Sequence, residues 1–312
     1  MTIDTIATSG QAAVVQACGA EDTAGILAAM LDLLGRGEYE DVEPYQLEHA
    51  AARIADDLSS CAVALVDGHL AGWVVPMEDD LTVLPPFRRR GIGRQLLAAG
   101  HAIARAGGRE SLRLWVRHQP GSEAFASACG LRYTSSLWQM RLAGSGVAEA
   151  PEPVFPAGTA IRSLRPGEDE PRFVALVNRI FLDHPTPITL TEEEVRRVHE
   201  RGFDPRSILI VEDLSTREMV GFCRVVCFTA SDGSPAGEIR LLGVDRPWRG
   251  RGLGRAVTSW GVAELRRRGA EAVVLAVEGE NAGAQRLYAG LGFQVGAEWR
   301  YWTIPATDGP AD

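Results

Sequence analysis

The sequence lacks the features of several common classes of protein. It contains no apolar run of membrane-spanning length, and its N-terminal MTIDTIATSG has neither the basic start nor the apolar stretch of a signal peptide. It also lacks an excess of basic residues, because the formal net charge is -9 at pH 7. Affinity for a nucleic-acid backbone depends on such an excess. We therefore expect a cytoplasmic protein that binds neither nucleic acid nor membranes.

Cysteine and histidine are sparse and show no convincing metal-ligand spacing. The 5 cysteines form no paired framework, so we expect free thiols in a reducing compartment. Cys223 and Cys227 have C-x3-C spacing, but they lie in the strand-like GFCRVVCF, where core packing is the favoured interpretation. His184, in the segment DHP, is interpreted as a turn residue. The sequence predicts no metal site.

One loop is present twice in a chain long enough for two domains. The chain has 312 residues, of which 46% are hydrophobic, and it contains PPFRRRGIGR in its first half and RPWRGRGLGR in its second. Arg249 follows Arg88 by 161 positions, and Gly252 follows Gly91 by the same interval. A period near half the chain length indicates a duplicated domain.

The pattern of apolar residues predicts the same architecture in both halves. We predict an N-terminal domain over 1–142, a linker rich in Gly, Ala and Pro over 143–158, and a C-terminal domain over 159–312. Helical and strand-like segments alternate in each domain, which predicts an α/β protein of the α+β type. Each domain should contain a mixed, mostly antiparallel central sheet flanked by helices.

Local signals place several helix ends in the second half. Thr191 and Glu194 have the spacing of a capping box before a helix. LGRAVTSWGVAELRRRG should form a long amphipathic helix ended by Gly269, and Asn281 should cap the helix in NAGAQRLYAGLG.

The repeated loop follows a strand and opens a long helix, which is the arrangement of an anion-binding site. The first N–H groups of a helix have no acceptor within it, and they favour a diphosphate together with the positive end of the helix dipole. Arg249, Arg251 and Arg255 could add charge-assisted contacts. Neither copy has the lysine of a Walker loop, and neither fits the glycine pattern of a dinucleotide fold.

The segment LLGVDRPWRGRGLG, followed by NAGAQRLYAGLGF, resembles the GNAT superfamily of N-acetyltransferases. Members carry [RQ]-x-x-G-x-[GA] after a strand and then N-x-x-A-x-x-L-Y-x-x-x-G-F. The resemblance implies two tandem GNAT-like domains that use acetyl-CoA as acyl donor. The tandem arrangement also resembles the mycothiol synthase family of GNAT enzymes, in which the C-terminal domain is catalytic, and this implies a degenerate N-terminal domain here.

By this resemblance, a definite set of residues would bind the cofactor. Those of the second half are Leu242, Gly243, Val244, Arg249, Gly250, Arg251, Gly252, Leu253, Gly254, Arg255, Asn281 and Leu287. Their counterparts in the first half are Leu81, Thr82, Val83, Arg88, Arg89, Arg90, Gly91, Ile92, Gly93 and Arg94.

The resemblance also implies two catalytic residues. Glu238 lies six residues before Val244, so strand alternation predicts that both side chains are on one face. Glu238 would take the proton of the amine, the backbone N–H of Val244 would bind the oxyanion, and Tyr288 would protonate the CoA thiolate. The plainer alternatives are a solvated glutamate and a core tyrosine.

The first half lacks both catalytic groups at the aligned positions. An offset of 160 places Ala128 opposite Tyr288 and Gly121 opposite Asn281, and an offset of 161 places Met77 opposite Glu238. We therefore expect the first half to hold CoA at most and to turn over little.

The acceptor is less well defined than the reaction. Where the mycothiol synthase family contacts its acceptor, this chain has Thr186 and Val226, with Arg224 on the same strand face as Val226. Three functions remain open: N-acetylation of a small-molecule primary amine, N-acetylation of a protein or peptide, and a CoA-binding sensor without catalysis.

Overall fold

The computed structural model describes residues 60–117, 120–182, 189–200, 204–230 and 232–305, with 13–16 and the single positions 25, 28, 51 and 54. The described strands are β1 Ala13–Gln16, β2 Ala62–Val66, β3 His69–Val75, β4 Asp80–Val83, β5 Ser111–Arg117, β6 Arg132–Ala143, β7 Thr159–Ser163, β8 Ile208–Asp213, β9 Met219–Thr229, β10 Pro235–Val244, β11 Ala272–Glu278 and β12 Gln294–Pro305. The described helices are α1 Ile92–Ala106, α2 Pro120–Ala128, α3 Ser145–Ala148, α4 Glu170–Phe181, α5 Glu192–Glu200, α6 Leu253–Arg267 and α7 Ala282–Ala289.

The contacts divide the chain into two compact units. One consists of Met1–Ser136 with Glu298–Asp312, and the other is Leu137–Ala297. Strands β6 and β12 each begin in one unit and end in the other. The ends of these units therefore differ from the domain ends at 142 and 159 that the linker-like composition suggests.

The second unit is built on a mixed sheet. Its strands lie in the order β6-β11-β10-β9-β8-β7, and each neighbouring pair is antiparallel except β10 with β11, which are parallel. This confirms the predicted mixed, mostly antiparallel sheet. One face packs on α4, where Phe173 and Val177 join Phe222 in one apolar cluster. The other face packs on α6, where Val257 and Leu265 lie in a second cluster with Ile239 and Val225. We call these the α4 face and the α6 face.

The predicted helix ends in this unit are confirmed. Thr191 and Glu194 form the reciprocal capping box, with Thr191 N donating to Glu194 Oε2 at 2.8 Å and Glu194 N donating to Thr191 Oγ1 at 3.2 Å. Helix α6 ends before Gly269, whose φ of +91° is the left-handed conformation that glycine accommodates best. Asn281 Oδ1 caps α7 by accepting from Ala284 N at 3.1 Å.

The first unit contains an antiparallel sheet in the order β1-β2-β3-β4, and β5 pairs with residues 299–305 of β12. Helix α1 packs on the sheet through Ile92 and Leu96. Asp80, at the start of β4, accepts hydrogen bonds from Trp73 Nε1 at 2.7 Å and from Thr82 Oγ1 at 3.0 Å. Burial raises the pKa of Asp80 to about 6, although these two hydrogen bonds oppose the shift.

No helix within the described residues is both long enough and apolar enough to span a membrane.

We predict that Asp80→Asn removes a pH dependence of stability. An unfolded aspartate has a pKa of about 3.9, so between about pH 4 and 6 the folded state keeps a proton that the unfolded state has lost. The stabilising effect of this proton is fully present below the unfolded pKa and is lost as pH rises through the folded pKa. Urea unfolding midpoints from about pH 4 to 7 should fall less steeply in Asp80→Asn than in the parent. Asp67→Asn, at an exposed turn, is the matched control. Parallel profiles of Asp80→Asn and the parent would contradict the prediction.

We also predict that a fragment of residues 137–297 folds by itself and that a fragment of 159–312 does not. The second fragment lacks the part of β6 that pairs with β11 from Leu137 opposite Glu278 to Ala143 opposite Ala272. Removing it exposes an unpaired, apolar strand edge. Circular dichroism melting should show a cooperative transition for 137–297 and aggregation or a broad transition for 159–312. Equal cooperativity and stability would argue instead for domains that end at the linker.

Candidate active site

Two neighbouring strands of the second unit part before they end. β10 pairs with β11 only from Ala236 to Ile239, whereas β10 continues to Val244 and β11 continues to Glu278. From Leu241 to Val244, β10 pairs with β9 alone. The edge of β10 that faces β11 is therefore left without a ladder partner in this stretch, and it forms one wall of a gap between the strands.

A β-bulge in β10 decides which side chains face which helix. The register to β9 shifts between Ile239 and Leu241, with Arg240 as the extra residue. Ile239 belongs to the apolar cluster on the α6 face, but Leu241 packs in the cluster on the α4 face. Regular alternation would have placed both residues on one face.

The bulge overturns one expectation from the sequence. Glu238 lies opposite Val226, and both occupy the α4 face because their neighbours Ile239 and Val225 occupy the α6 face. Val244 packs on the α6 face. The prediction that Glu238 and Val244 share a face is therefore wrong, because the extra residue reverses the alternation between them.

The loop after β10 has the backbone of an anion site. Gly252 is the N-cap of α6 with φ +85°, and Gly250 has φ +74°. These are conformations that residues with a Cβ adopt only with strain. Among the described residues, the N–H groups from Gly250 to Gly254 donate no backbone hydrogen bond. These donors precede or open the helix, where the dipole is positive.

The loop arginines have protein partners. Arg249 Nε donates to the carbonyl of Val244 at 3.0 Å, and Arg255 donates to the carbonyl of Gly290 at 3.1 Å. The guanidinium of Arg251 lies over the ring of Trp248, 5.2 Å from its centroid. Arg249 thus fixes the path of the loop, and the backbone N–H groups are the donors that the fold leaves for a diphosphate.

The end of β10 presents its backbone to the gap. Asp245 N donates to Val220 O at 2.9 Å, so the N–H of Asp245 points toward β9. Because successive N–H groups of a strand point to opposite sides, the N–H of Val244 points into the gap. Leu242 packs on the α6 face. A Cβ on Gly243 would lie 2.9 Å from Ile180 Cγ2, so glycine here allows β10 to approach α4.

Helix α7 brings a buried tyrosine to the α6 face. Tyr288 is 6% exposed and belongs to the same apolar cluster as Val257. Burial raises its pKa above the ordinary value, with a smaller contribution from Cys223. Cys223 lies opposite Leu242 in the β9–β10 ladder. The phenol is thus in the same cluster as the end of β10, and its raised pKa keeps it protonated.

The remaining predicted residues of α7 have structural contacts. Asn281 is the helix cap described above, and Leu287 approaches the first turn of α6, since a Cβ on Gly254 would lie 3.1 Å from Leu287 Cδ1. Gly254 therefore permits the two helices that flank the loop to come close together.

The loop of the first unit has the same geometry. Gly91 is the N-cap of α1 with φ +80°, and Arg88 Nε donates to the carbonyl of Val83 at 2.9 Å, as Arg249 does in the second unit. Arg90 lies 5.6 Å from the ring centroid of Phe87, matching Arg251 over Trp248. One difference is Arg89, which has φ +63° where the second loop has Gly250.

The strand before this loop and the first turn of its helix also match. Leu84 N donates to Ala71 O at 2.9 Å, so the N–H of Val83 points away from β3, while Leu81 pairs with Val74 and Thr82 with Trp73. The remaining loop residues of the cofactor prediction, Ile92, Gly93 and Arg94, lie in the first turn of α1. The N–H groups from Arg89 to Gly93 donate no backbone hydrogen bond among the described residues.

The structure corrects the alignment of α2 with α7. Leu131 N donates to Ala126 O, as Phe293 N donates to Tyr288 O, and Gly130 shares the positive φ of Gly292. The offset here is therefore 162, and Ala126, not Ala128, is opposite Tyr288. The offset of 160 came from aligning LGF with LRY, whereas the matching turns align Gly292 with Gly130.

Two further pairs in the first unit also change. The counterpart of Asn281 is position 119 and not Gly121, and it lies outside the described residues. Because Arg240 is an extra residue in β10, the offset before the bulge is 160 and not 161, so Glu78 and not Met77 is opposite Glu238. Glu78 lies in a 3-10 turn, Pro76–Glu78, so no described strand residue of the first unit stands opposite Glu238.

The remaining residues that were weighed for metal binding or for contact with the acceptor are placed separately. Cys223 is buried, but Cys227 is exposed, because the last three residues of β9 extend beyond the packed part of the sheet. The expectation of core packing is wrong for Cys227. His184 and Thr186 lie outside the described residues. Within the described part of the chain, no group of three or more His, Cys, Asp or Glu side chains could hold a metal ion.

One charged residue at this site is not evident from the sequence analysis. Arg240 Nε lies 2.9 Å from Glu238 Oε2, so the glutamate forms an ion pair with the bulge residue. The opposite charge two positions further along a strand is the sequence signal that could have indicated it.

This fold and loop geometry define a GNAT acetyltransferase. The sequence profile of the Acetyltransferase (GNAT) family matches residues 27–131 and 175–293, one match in each half. The chain belongs to this family and is an N-acetyltransferase, and the family uses acetyl-CoA as donor.

More particular relatives are mycothiol acetyltransferases. The enzyme of Thermobispora bispora is 39% identical over 239 residues, which is 73% of this chain and 78% of that protein. The enzyme of Thermobifida fusca is 33% identical over 319 aligned positions, covering 95% of this chain and 94% of that protein. The predicted resemblance to a tandem GNAT protein of the mycothiol synthase type is confirmed.

Two solved structures share the fold. A GCN5-related N-acetyltransferase from Sphaerobacter thermophilus has a TM-score of 0.67 at 24% identity, covering 95% of this chain and 96% of that one. A tandem GNAT protein from the clavulanic acid biosynthesis pathway has a TM-score of 0.67 at 22% identity, covering 96% of this chain and 100% of that one. These likenesses confirm the predicted fold class.

We predict that Gly252→Asp weakens acetyl-CoA binding at least about tenfold more than Gly252→Asn does. Both substitutions impose the same left-handed strain, and neither Cβ meets another atom within 4 Å, so the pair differs in charge alone. The aspartate places a negative charge among the N–H groups at which we expect a diphosphate to bind. Calorimetric titration of the full chain measures the difference.

The matched pair Gly91→Asp and Gly91→Asn reports on the first loop in the same titration. Two binding events in the parent, each weakened by its own aspartate variant, would show that both loops bind. Equal binding by Gly252→Asp and Gly252→Asn would contradict a diphosphate site at this helix end.

Proposed function

We propose that this chain transfers the acetyl group of acetyl-CoA to the primary amine of a small molecule and that the reaction takes place in the C-terminal half. The observation that carries the proposal is the gap between β10 and β11, with Glu238 on the α4 face of the sheet and Tyr288 on the α6 face. A base and an acid on opposite faces suit a reaction in which the amine and the thioester approach the gap from opposite sides. The mycothiol acetyltransferases among the relatives support a small-molecule acceptor.

The cofactor fits the donors that the fold leaves open. The diphosphate binds the N–H groups from Gly250 to Gly254, with Leu253 among them, at the N-terminus of α6. The pantetheine arm follows the unpaired edge of β10 at Leu242 and Val244, where amide groups of the arm replace the missing strand. Leu287, beside Gly254, covers the arm from α7.

The residues divide the proton transfers between them. Glu238 accepts a proton from the ammonium, because an alkylamine with a pKa of about 10.4 is charged at neutral pH and attacks only when neutral. The neutral nitrogen forms a bond to the thioester carbonyl, and the N–H of Val244 donates to the oxygen that becomes negative. When the C–S bond breaks, Tyr288 gives its proton to the thiolate. The nitrogen loses its second proton to water and becomes the amide, water returns a proton to Tyr288 and takes the one held by Glu238, and acetyl amide and CoA leave as products.

The first half keeps the loop and lacks the chemistry. Its loop from Arg88 to Arg94 repeats the backbone of the second, and Leu81, Thr82 and Val83 lead into it. Ala126 replaces the tyrosine, and a 3-10 turn, Pro76–Glu78, replaces the part of the strand that carries Glu238 in the second half. We propose that this half binds CoA without turnover.

We predict that Tyr288→Phe lowers kcat about 100-fold or more while acetyl-CoA binding changes little, because the substitution removes one buried proton donor. Glu238→Gln should lower kcat/KM by a similar factor at neutral pH. Release of CoA thiol in the presence of a panel of amines gives both rates. Because burial raises the pKa of Tyr288, the parent should keep its activity up to at least about pH 10 as far as this group is concerned.

The same measurements separate the remaining functions. A Tyr288→Phe enzyme that kept most of its activity would contradict both the role of the tyrosine and the inactive first half. If none of the amines supports thiol release, the result would favour a CoA sensor. Acetylation of a protein is detected by intact-protein mass spectrometry. The enzyme contains no lysine, because all 32 of its Lys and Arg residues are arginine, so an acetylated lysine can belong only to the partner protein.

A further inference from the structure

The end of helix α4 lies on β10 at the level of the gap. Ile180 is in the last turn of α4, and a Cβ on Gly243 would lie 2.9 Å from Ile180 Cγ2 and 3.1 Å from its Cδ1. The same Cβ would lie 2.9 Å from Cε1 of Phe222, which is opposite Gly243 on β9. Gly243 directly precedes Val244, whose N–H points into the gap. Ile180 and Phe222 therefore cover the α4 face of β10 next to that N–H.

An ion pair holds this end of α4 on β10. Arg179 Nη2 donates to Asp245 Oδ2 at 2.8 Å, and Arg179 Nε donates to the same oxygen at 3.1 Å. The other carboxylate oxygen of Asp245 accepts from the N–H of Arg246 at 2.9 Å. One carboxylate, directly after Val244, thus joins the helix to the loop. Because Ile180 follows Arg179 in the chain, the ion pair also fixes Ile180 over β10.

The β11 side of the gap has a free surface on the same face. Leu275 and Val277 of β11 lie in the cluster on the α6 face, so Ala276 between them is on the α4 face. Ala276 is the first residue of β11 beyond the stretch that pairs with β10, and it is exposed. On the α4 face, an incoming amine therefore has room at β11, whereas Ile180 fills the space at β10.

The direction of the acyl group follows from the proposed function, on which this step rests. The carbonyl oxygen of the thioester accepts from the N–H of Val244, and its sulfur lies towards Tyr288 on the α6 face. A hydrogen-bond donor prefers the plane that contains a carbonyl and its substituents. The third substituent of the carbonyl carbon, the methyl group, therefore points to the α4 side. A third acyl carbon would meet Ile180 or enter the space that the amine needs.

We propose that Ile180 restricts the donor of this enzyme to acetyl-CoA and that the ion pair of Arg179 with Asp245 keeps Ile180 in position. A close-packed site admits an extra methylene only by displacing its neighbours, and the fixed end of α4 resists that displacement. Donors with three or more acyl carbons bind less tightly and react more slowly than acetyl-CoA. Both effects depend on the size of the side chain at position 180.

The test uses the full-length enzyme with CoA, acetyl-CoA, propionyl-CoA and butyryl-CoA. Calorimetric titration without an acceptor gives the dissociation constant of each, and thiol release with the amine of the panel that reacts fastest gives kcat/KM. Every acyl donor breaks the same C–S bond and forms the same C–N bond, and CoA leaves as the thiol. We expect the parent to bind butyryl-CoA at least about tenfold more weakly than acetyl-CoA and to use propionyl-CoA at least about tenfold less efficiently.

Variants connect that preference to Ile180. Ile180→Ala should bring both ratios to within about threefold of unity, while the dissociation constant of CoA stays the same. Ile180→Val removes one methyl group, should shift the ratios less in the same direction, and replaces Ile180→Ala if thermal melting shows that the latter does not fold.

The matched control is Val174→Ala. Val174 packs on the same apolar cluster from α4, six residues and about 9 Å earlier along the helix, and its truncation should leave both ratios unchanged. The loop of the first half is the same in all of these variants. A change in a ratio therefore reports on the second half.

The outcomes separate this inference from the proposed function. A parent that binds and uses all three acyl donors alike would overturn the inference, and so would folded Ile180 variants that keep the ratios of the parent. An equal shift in Val174→Ala would overturn it as well, because it would show a general loosening of α4. Absence of thiol release with every amine would instead contradict the proposed function, and the titrations alone would then decide the inference.

Discussion

The extra residue in β10 is the constraint on which the site depends. Arg240 is inserted into the ladder with β9 at the same level at which β10 stops pairing with β11. The even-numbered side chains of β10 therefore lie on the α4 face before the bulge, as Glu238 does, and on the α6 face after it, as Leu242 and Val244 do. Bulges bend a strand and increase its twist, and this gives a physical reason for the gap that follows.

The gap in turn gives the backbone a chemical role. Strand edges inside a protein normally have their N–H and C=O groups paired, because an unpaired buried polar group costs free energy. At the end of β10 the N–H of Val244 is directed into the gap, and its carbonyl accepts from Arg249. Arg249 thus pairs with the last carbonyl of β10, and the same hydrogen bond holds the loop whose N–H groups remain available. Strand, loop and helix end are one connected unit, and the side chains on the two faces add the proton transfers.

The two halves show which parts of this unit can be lost separately. The first half keeps the loop, the arginine that fixes it and the aromatic ring beneath the second arginine. It loses the strand before Asp80 to a 3-10 turn and has an alanine in place of the tyrosine. Anion binding depends on local backbone geometry, whereas proton transfer needs side chains from separate elements. Duplication can therefore preserve the first and lose the second.

The sequence by itself determined the loops, the helix caps and the class of fold, because these depend on residues close together in the chain. Gly252, Asn281 and the pair Thr191 and Glu194 act within one or two turns of helix, so their spacing is sufficient to predict them. The tertiary structure alone decided the faces and the register. A bulge is defined only against the partner strand, so alternation misplaced Glu238 relative to Val244. The alignment of Tyr288 with Ala126 depends on matching hydrogen bonds across turns of different sequence, and the closeness of Arg240 and Arg224 to Glu238 depends on the pairing of two strands.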